Sequence, residues 1–372
     1  MKISVAKEQL LQGLQAVQNV VSARRSFPIL SNVLLEAKDG GLRFTATDLE
    51  ITVSCVIPVD MAEPGATTVP AKRLLGITRE LSSPEVEIET SGEDGLSVRS
   101  GSSYFKLRTL PADEFPPAPS LESDASFSLP QDGLKLMLKQ TAYAISYDET
   151  RYVLNGVLAL RDSAAGKLAV VATDGRRMAL VERACEIPSE LDGQSIVPTK
   201  AVNELQRLLA SEGTVTVTFS DKMAGFRLEN DGGHDLEIAT KLIDGKFPNF
   251  RQVIPSEAKE RIQLIREELL VALRRAELMT SDKMNSVKIT FADNRMTINA
   301  NTPEVGEAED SLAINYQGPS LAVAFNPSYL LDPLKALDDD EVYLELIDEL
   351  SPGVIRSADT FLYVIMPMRI PN

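Results

Sequence analysis

The chain alternates two kinds of apolar spacing, and the alternation is written three times. One kind is helical. In Gln9-Leu10-Leu11-Gln12-Gly13-Leu14-Gln15-Ala16-Val17, in Leu134 to Ala142 and in Leu269 to Leu278, apolar residues recur three and four positions apart, which gives a helix one apolar face. A second helical set follows a landmark: Thr68-Val69-Pro70-Ala71-Lys72-Arg73, then Ile196-Val197-Pro198-Thr199-Lys200-Ala201-Val202, then Ala324-Phe325-Asn326-Pro327-Ser328-Tyr329-Leu330. Proline near the first turn suits a helix start, so helices are predicted over 72–81, 199–210 and 326–337. Val69, Val197 and Phe325 are spaced by 128 positions and again by 128.

The other spacing has period two, as a half-buried antiparallel sheet requires. It runs through Val86–Glu89 with Leu96–Arg99, Thr214–Phe219 with Gly225–Leu228, and Val342–Leu346 with Gly353–Arg356. A further strand closes each copy: Phe105–Arg108, Leu236–Ala239 and Leu362–Met366. Two strands end in Ala-Thr-Asp, at Ala46-Thr47-Asp48-Leu49-Glu50 and Ala172-Thr173-Asp174-Gly175-Arg176-Arg177, with the two aspartates 126 positions apart. Asp can bond its own backbone there and Gly accepts positive φ, so both read as tight turns. A weaker third echo is Met296-Thr297-Ile298-Asn299-Ala300-Asn301-Thr302. The fold class is α+β, three tandem units of roughly 120 residues, each two helices on antiparallel sheet. Proline marks the boundaries, from Pro111 to Pro119 and at Pro248, which predicts domains 1–121, 126–247 and 248–372.

Composition adds bounds. At 372 residues and 44% apolar, the chain has material for proper cores. No run of about 18 apolar residues suggests a membrane span. The start, Met1-Lys2-Ile3-Ser4-Val5, alternates polar and apolar without a signal-peptide core, which predicts a cytoplasmic protein with no membrane partner. Cys55 and Cys185 read as buried reduced thiols, not a disulfide framework. The single histidine, His234, lies in a turn-like Asp231-Gly232-Gly233-His234-Asp235, and no metal or cofactor is expected. Net charge is −16, which argues against a conventional DNA-gripping domain. The six predicted helices nevertheless sum to +4, so if they share a face that face is neutral to basic in an acidic shell.

Six landmarks carry a resemblance: Phe27-Pro28-Ile29-Leu30-Ser31-Asn32, Ala46 to Glu50, Arg151-Tyr152-Val153-Leu154-Asn155-Gly156, Ala172 to Arg177, Lys241-Leu242-Ile243-Asp244-Gly245-Lys246-Phe247-Pro248, and Val364-Ile365-Met366-Pro367-Met368-Arg369. Together, in order across three repeats from Met1 to Ile370, they resemble the bacterial DNA polymerase III β subunit family, the sliding clamps. The resemblance implies three clamp repeats in a head-to-tail homodimeric ring. Sheets would form the outside, and helices would line a hole that encircles duplex DNA. The implied role is a non-catalytic processivity subunit that tethers the polymerase, slides freely and reads no sequence. Contacts of a sliding ring should be phosphate-directed and weak. Implied partners are duplex DNA, a second copy, the polymerase III alpha subunit, the clamp-loader delta subunit and other proteins with clamp-binding motifs.

Site residues follow from matching positions. The implied partner-peptide pocket comprises Leu154, Thr173, Gly175, Arg176, Arg177, Met178, Pro248, Val253, Asn326, Tyr329, Leu350, Pro352, Val364, Met366, Pro367, Met368 and Arg369. Methionine and leucine suit an adaptable apolar floor for Leu- and Phe-bearing peptides, with Arg177 and Arg369 expected to donate to peptide carbonyls at the rim. Several relatives carry His where Arg176 stands. Implied DNA contacts are Arg24, Lys72, Asp148, Tyr152 and Val153, with Arg25 as a further cation. The implied dimer interface brings Arg73, Phe105 and Leu107 of one copy to Leu278 and Met279 of the other. Enzyme readings have little to stand on. An aspartic-protease dyad needs Asp before Thr/Ser-Gly, whereas here Thr precedes Asp, and turn chemistry explains both aspartates. A repeat scaffold that binds peptides but no DNA is the other alternative, and retention on closed circular DNA separates it from a clamp.

Overall fold

The computed structural model describes residues 1–21, 27–90, 95–119, 125–229, 235–281, 283–357 and 360–369. Six helices carry the predicted apolar faces: α1 (Lys7–Val17), α2 (Ala71–Glu80), α3 (Gln131–Lys139), α4 (Thr199–Leu208), α5 (Arg266–Glu277) and α6 (Pro327–Ala336). The run predicted to stay helical through Ala142 stops at Lys139 and gives way to a 3-10 turn at Ala142–Ala144. The Thr141 hydroxyl donates to the Met137 carbonyl at 2.8 Å, a local bond that competes with continuation of the helix. No helix among the described residues is long and apolar enough to cross a membrane.

The strands form four antiparallel sheets in two compact units. The first unit comprises residues 1–135, 186–191 and 200–242, and the second comprises 136–185, 192–199 and 243–372. In the first unit a five-stranded sheet runs in the order Asp60–Glu63, Lys2–Ala6, Glu85–Thr90, Gly95–Ser100, Ser103–Arg108. Its eight-stranded sheet runs Phe127–Pro130, Thr214–Phe219, Met223–Glu229, Leu236–Lys241, Ile51–Pro58, Gly41–Thr47, Asn32–Lys38, Gly65–Pro70. The second unit has an eight-stranded sheet in the order Gly193–Pro198, Gly156–Asp162, Lys167–Thr173, Arg177–Ala184, Phe361–Ile365, Gly353–Ser357, Glu341–Leu346, Glu260–Ile265. Its four-stranded sheet runs Gly306–Ala313, Arg295–Thr302, Val287–Ala292, Leu321–Phe325.

The compact units therefore do not follow the sequence repeats. Each eight-stranded sheet joins two consecutive copies: Leu236 lies opposite Cys55 and Ile238 opposite Val53, while Met178 lies opposite Val364 and Leu180 opposite Leu362. Pairing across copies removes strand edges that a lone copy would leave open. It also buries the central strands on both faces. Ile51–Pro58 and Lys167–Thr173 are almost continuously buried, whereas Thr214–Phe219 and Glu341–Leu346 keep strict alternation. Cys55 and Cys185 are buried, and burial pushes the Cys55 thiol up to about 11.

One device recurs in all three copies. The first residue of the first helix reaches the end of the second helix. Lys7 donates to the carbonyls of Arg79, at 3.1 Å, and Leu81. Gln131 accepts from Ala210 N at 2.9 Å and donates to the Glu229 carbonyl at 2.8 Å. Arg266 donates to the carbonyls of Leu334, at 3.1 Å, and Asp339, at 2.8 Å. In the first and third copies the cation satisfies carbonyls at the end of the second helix and sits at the favourable pole of its dipole, whereas Gln131 meets the amide just past α4 and a strand carbonyl. Lys135 adds a bond to the Leu209 carbonyl at 2.7 Å. Part of the positive charge on the helices is thus committed inside the fold.

Candidate functional site

The two Ala-Thr-Asp turns are built alike. Asp174 Oδ1 accepts from Arg176 N at 2.8 Å and Arg177 N at 3.0 Å; Thr173 Oγ1 accepts from Gly175 N and donates to the Arg177 carbonyl at 2.6 Å. Asp48 Oδ1 accepts from Glu50 N at 3.0 Å and Ile51 N at 2.9 Å, and Thr47 Oγ1 repeats the threonine's pair of bonds. Gly175 adopts φ +84°, and the same position in the first copy is held by Leu49 at φ +77°.

Around the second turn the structure gathers the peptide-pocket residues. Leu154, Met178 and Val364 are buried members of an apolar cluster with Leu158, Val171 and Leu362, covered by Phe247, Phe250 and Ile254 of the segment that follows the second copy. Above this base the surface stays apolar and open. Leu350 is 74% exposed, Val253 44% and Met366 42%. The predicted last strand ends at Ile365, and Met366 N donates to the Arg176 carbonyl at 3.0 Å. Met368 N donates to the Ala324 carbonyl at 2.7 Å, which seats Pro367 and Met368 beside the start of α6. Asn326 caps α6 by accepting from Ser328 N at 3.0 Å. Asp348 accepts from Leu350 N and Ser351 N, shaping the turn that presents Leu350 and Pro352; the Ser351 hydroxyl and these amides hold its carboxyl below the usual carboxylate range. Arg176, Pro248 and Arg369 are exposed.

Arg177 departs from its expected place at the rim. Its side chain is 10% exposed and each of its three nitrogens donates within the chain. Nε donates to Asp174 Oδ2 at 3.1 Å, Nη1 to Asp332 Oδ2 and Nη2 to the Tyr143 carbonyl at 2.6 Å. The guanidinium lies 4.3 Å from the ring centroid of Tyr329 and 5.7 Å from that of Tyr143. Burial lowers its pKa, but the Tyr363 phenol and the Asp332 and Asp174 carboxylates outweigh burial and raise it above the ordinary value, so it is a permanent cation. Tyr329 is fixed from its other end as well. Pro333, four residues on in α6, has no N–H, which frees the Tyr329 carbonyl, and the Tyr363 hydroxyl donates to it at 2.7 Å.

The residues expected to touch DNA separate into three groups. Arg24 and Arg25 lie outside the described residues, as does His234. Lys72 is exposed on α2, and Tyr152 is exposed beside a still more exposed Tyr147, at 79%. Asp148 and Val153 have other work. Asp148 caps the 3-10 turn Glu149–Leu154, accepting from Thr150 N at 3.0 Å, Thr150 Oγ1 at 2.6 Å and Arg151 Nε at 3.3 Å; the Thr150 bonds hold its carboxyl low. Val153 is partly buried and packs against the apolar cluster.

Of the expected dimer residues, Phe105 and Leu107 lie on a sheet edge, Arg73 on α2, and Leu278 and Met279 at the end of α5. Ser103–Arg108 is the outer strand of the five-stranded sheet, and Phe105, Lys72, Arg73, Val21, Gly76 and Ile77 line a cavity of about 530 Å³. Leu107 lies on the same strand. Gly306–Ala313 is the outer strand of the four-stranded sheet in the second unit. Leu278, at the C-cap of α5, is 73% exposed, while Met279 is partly buried.

Three family models match the chain in succession: the DNA polymerase III beta subunit N-terminal domain over residues 1–119, its central domain over 128–249 and its C-terminal domain over 251–369. The chain belongs to the DNA polymerase III beta subunit family. Among its relatives, the beta sliding clamp of Chlamydia pneumoniae is 36% identical over 370 residues, covering 100% of this chain and 99% of the relative. The beta sliding clamp of Escherichia coli K12 is 37% identical over 380 residues, covering 100% of both. Among solved structures, the DNA polymerase III subunit beta from Pseudomonas aeruginosa aligns with TM-score 0.91 and 35% identity over 99% of this chain and 100% of that one. The DNA polymerase sliding clamp from Bacillus subtilis aligns with TM-score 0.93 and 29% identity over the whole of both chains.

Within this family frame, sequence reasoning missed Tyr143, Asp332 and Tyr363, which hold Arg177 and Tyr329, and the covering residues Phe247, Phe250 and Ile254. One signal was present. Tyr329 and Asp332 are three apart on a predicted helix, hence on one face.

Proposed function

We propose that the chain works as a sliding clamp: a homodimeric ring of six similar domains that encircles duplex DNA and tethers a polymerase without catalysing a reaction. The observation that carries this reading is the unbroken succession of three family models over nearly the whole length of the chain. The sequence domains 1–121, 126–247 and 248–372 are the units of this reading. Lys72, Tyr152 and, from the sequence alone, Arg24 are its DNA contacts, with Tyr147 added. The ring closes where the edge strand Ser103–Arg108, bearing Lys106 and Arg108, meets the edge strand Gly306–Ala313 of the second copy, bearing Glu307, Glu309 and Asp310. Opposite charges on two open edges favour strand addition between copies over pairing of like edges. The open apolar surface at Val253, Leu350, Met366 and Met368 is the groove for partner peptides, including those of the polymerase alpha and clamp-loader delta subunits. The workplace is the cytoplasm.

The test is retention on DNA after loading by the cognate loader. The protein should elute with closed circular DNA and leave it once the circle is cut. Retention on linear duplex, insensitive to salt, would contradict a topological tether.

A further inference from the structure

The groove reading leaves one of its own residues unexplained. Arg177 matches a pocket position, yet its side chain is 10% exposed and each of its nitrogens bonds within the chain. Its partners come from three places: the Asp174 turn that ends a second-copy strand, the 3-10 turn that carries Tyr143, and α6 of the third copy, which carries Asp332 and Tyr329. Two groove walls hang from this one cation. The first wall is the Gly175–Arg176 turn, whose Arg176 carbonyl accepts from Met366 N. The second is the start of α6, where Tyr329 lies under the guanidinium plane.

We propose that Arg177 is a positioning residue of the peptide groove, pinning the Gly175–Arg176 turn and Tyr329 at a fixed separation through Asp174 and Asp332 while never touching the peptide itself. The inference rests on the groove reading above. A site held loosely by about an ångström loses much of its affinity, so the supporting shell governs binding as strongly as the contact residues do. Arginine is required because three acceptors in three directions need a planar fork, and because its face stacks on tyrosine, whereas lysine offers a point charge. Tyr143 supplies its ring and its carbonyl. Among the described residues its buried phenol oxygen has no hydrogen-bond partner.

The experiment titrates a fluorescein-labelled nonapeptide ending in Leu-Phe into the full-length dimer, by anisotropy, with melting curves and sedimentation on every variant. Met366→Lys tests the groove and should abolish binding. Asp332→Asn keeps shape, lies on the far side of Arg177 and removes the anchoring charge; it should weaken the peptide about tenfold at nearly constant melting temperature. Arg177→Lys should weaken it to a similar degree, and combining it with Asp332→Asn should add little, because both break one unit. Tyr143→Phe should match wild type. If Met366→Lys binds normally, the groove reading fails and takes this inference with it. Loss with Met366→Lys but full affinity in Asp332→Asn overturns the inference alone, as does full affinity in Arg177→Lys. Should Arg177→Lys melt far lower, Asp332→Asn still decides.

Discussion

Changing Leu278 to Asp should turn the dimer into monomers. Leu278 caps α5 at its C-terminal end and leaves 73% of its surface open in the single chain. Full burial of a leucine is worth roughly 1.5–3 kcal/mol, so about 1–2 kcal/mol remains to be gained by covering it in a partner's cavity. A cavity of about 530 Å³ with Phe105 and Ile77 in its lining is open in the first unit. A dimeric ring has two such joints, which brings the total to about 2–4 kcal/mol, or roughly 30- to 1,000-fold in dimer dissociation constant. The carboxylate adds the cost of desolvating a charge against an apolar wall. Leu278 is the right residue to change, not Met279. The Met279 carbonyl accepts from Thr302 Oγ1 at 2.7 Å and its side chain is partly buried, so altering it disturbs the chain's own fold. Sedimentation velocity over a dilution series measures the constant directly, and circular dichroism checks that the monomer stays folded. A Leu278→Asp protein that remains dimeric at the dilution where wild type does would remove Leu278 from the interface.

Three further outcomes follow from the geometry. Arg207→Met should cost about 3–5 kcal/mol in denaturant unfolding, because it strips donors from the Gln15 and Ala16 carbonyls at the end of α1 and leaves the largely buried Glu204 carboxylate without its cation; a loss under about 1 kcal/mol would show that the pair is idle. Gly175→Ala should cost about 1–2 kcal/mol for its left-handed backbone, with a new Cβ 2.7 Å from Arg151 Nη1, whereas Leu49→Gly should stay within about 0.5 kcal/mol of wild type since relief of strain and added chain entropy offset each other. Asp48 is pushed up by burial but pulled further down by Lys200 and by the amides of Ile51 and Glu50, so its folded value lies below 3.8. A depressed carboxylate stabilises above its unfolded pKa and loses that contribution as pH falls through the folded one, so Asp48→Asn should flatten the fall in melting temperature between about pH 5 and about pH 3.

Periodicity made the elements legible. Helix and strand spacing are local properties, and proline and Asp-Gly mark where each must stop. The division into compact units was not legible, because it depends on which edges pair across copies, Leu236–Lys241 with Ile51–Pro58 and Arg177–Ala184 with Phe361–Ile365. Pairing of that range leaves no trace in spacing. The site was half legible for the same reason. Met366 and Leu350 could be named by position, and they are exposed. Arg177 could be named too, but its role depends on Asp332, 155 positions away, and on Tyr143, neither of which any local pattern connects to it. Tyr152 is exposed while Val153 is partly buried against the apolar cluster, in a segment whose kink at Arg151 and Asp148 cap no local spacing shows.

The repeats also show how the second turn differs from the first. At both places one ion pair ties the end of a strand to the second helix of the next copy, but polarity and position differ. In the first, the turn carboxylate of Asp48 accepts from Lys200, the second residue of α4. In the second, the cation follows the turn as Arg177, and the carboxylate is Asp332, one helical turn further along α6. The position matching Lys200 is Ser328, which turns away to Glu277 at 2.6 Å, and the position matching Arg177 is the buried Ile51. Moving the tie down the helix frees the first turn of α6, with Asn326 and Tyr329, from the strand end it faces. Pro333 then releases the Tyr329 carbonyl to Tyr363, which holds that freed turn in place without filling it. In the first copy Lys200 occupies the corresponding ground. A single displaced ion pair thus distinguishes two joints built on the same turn.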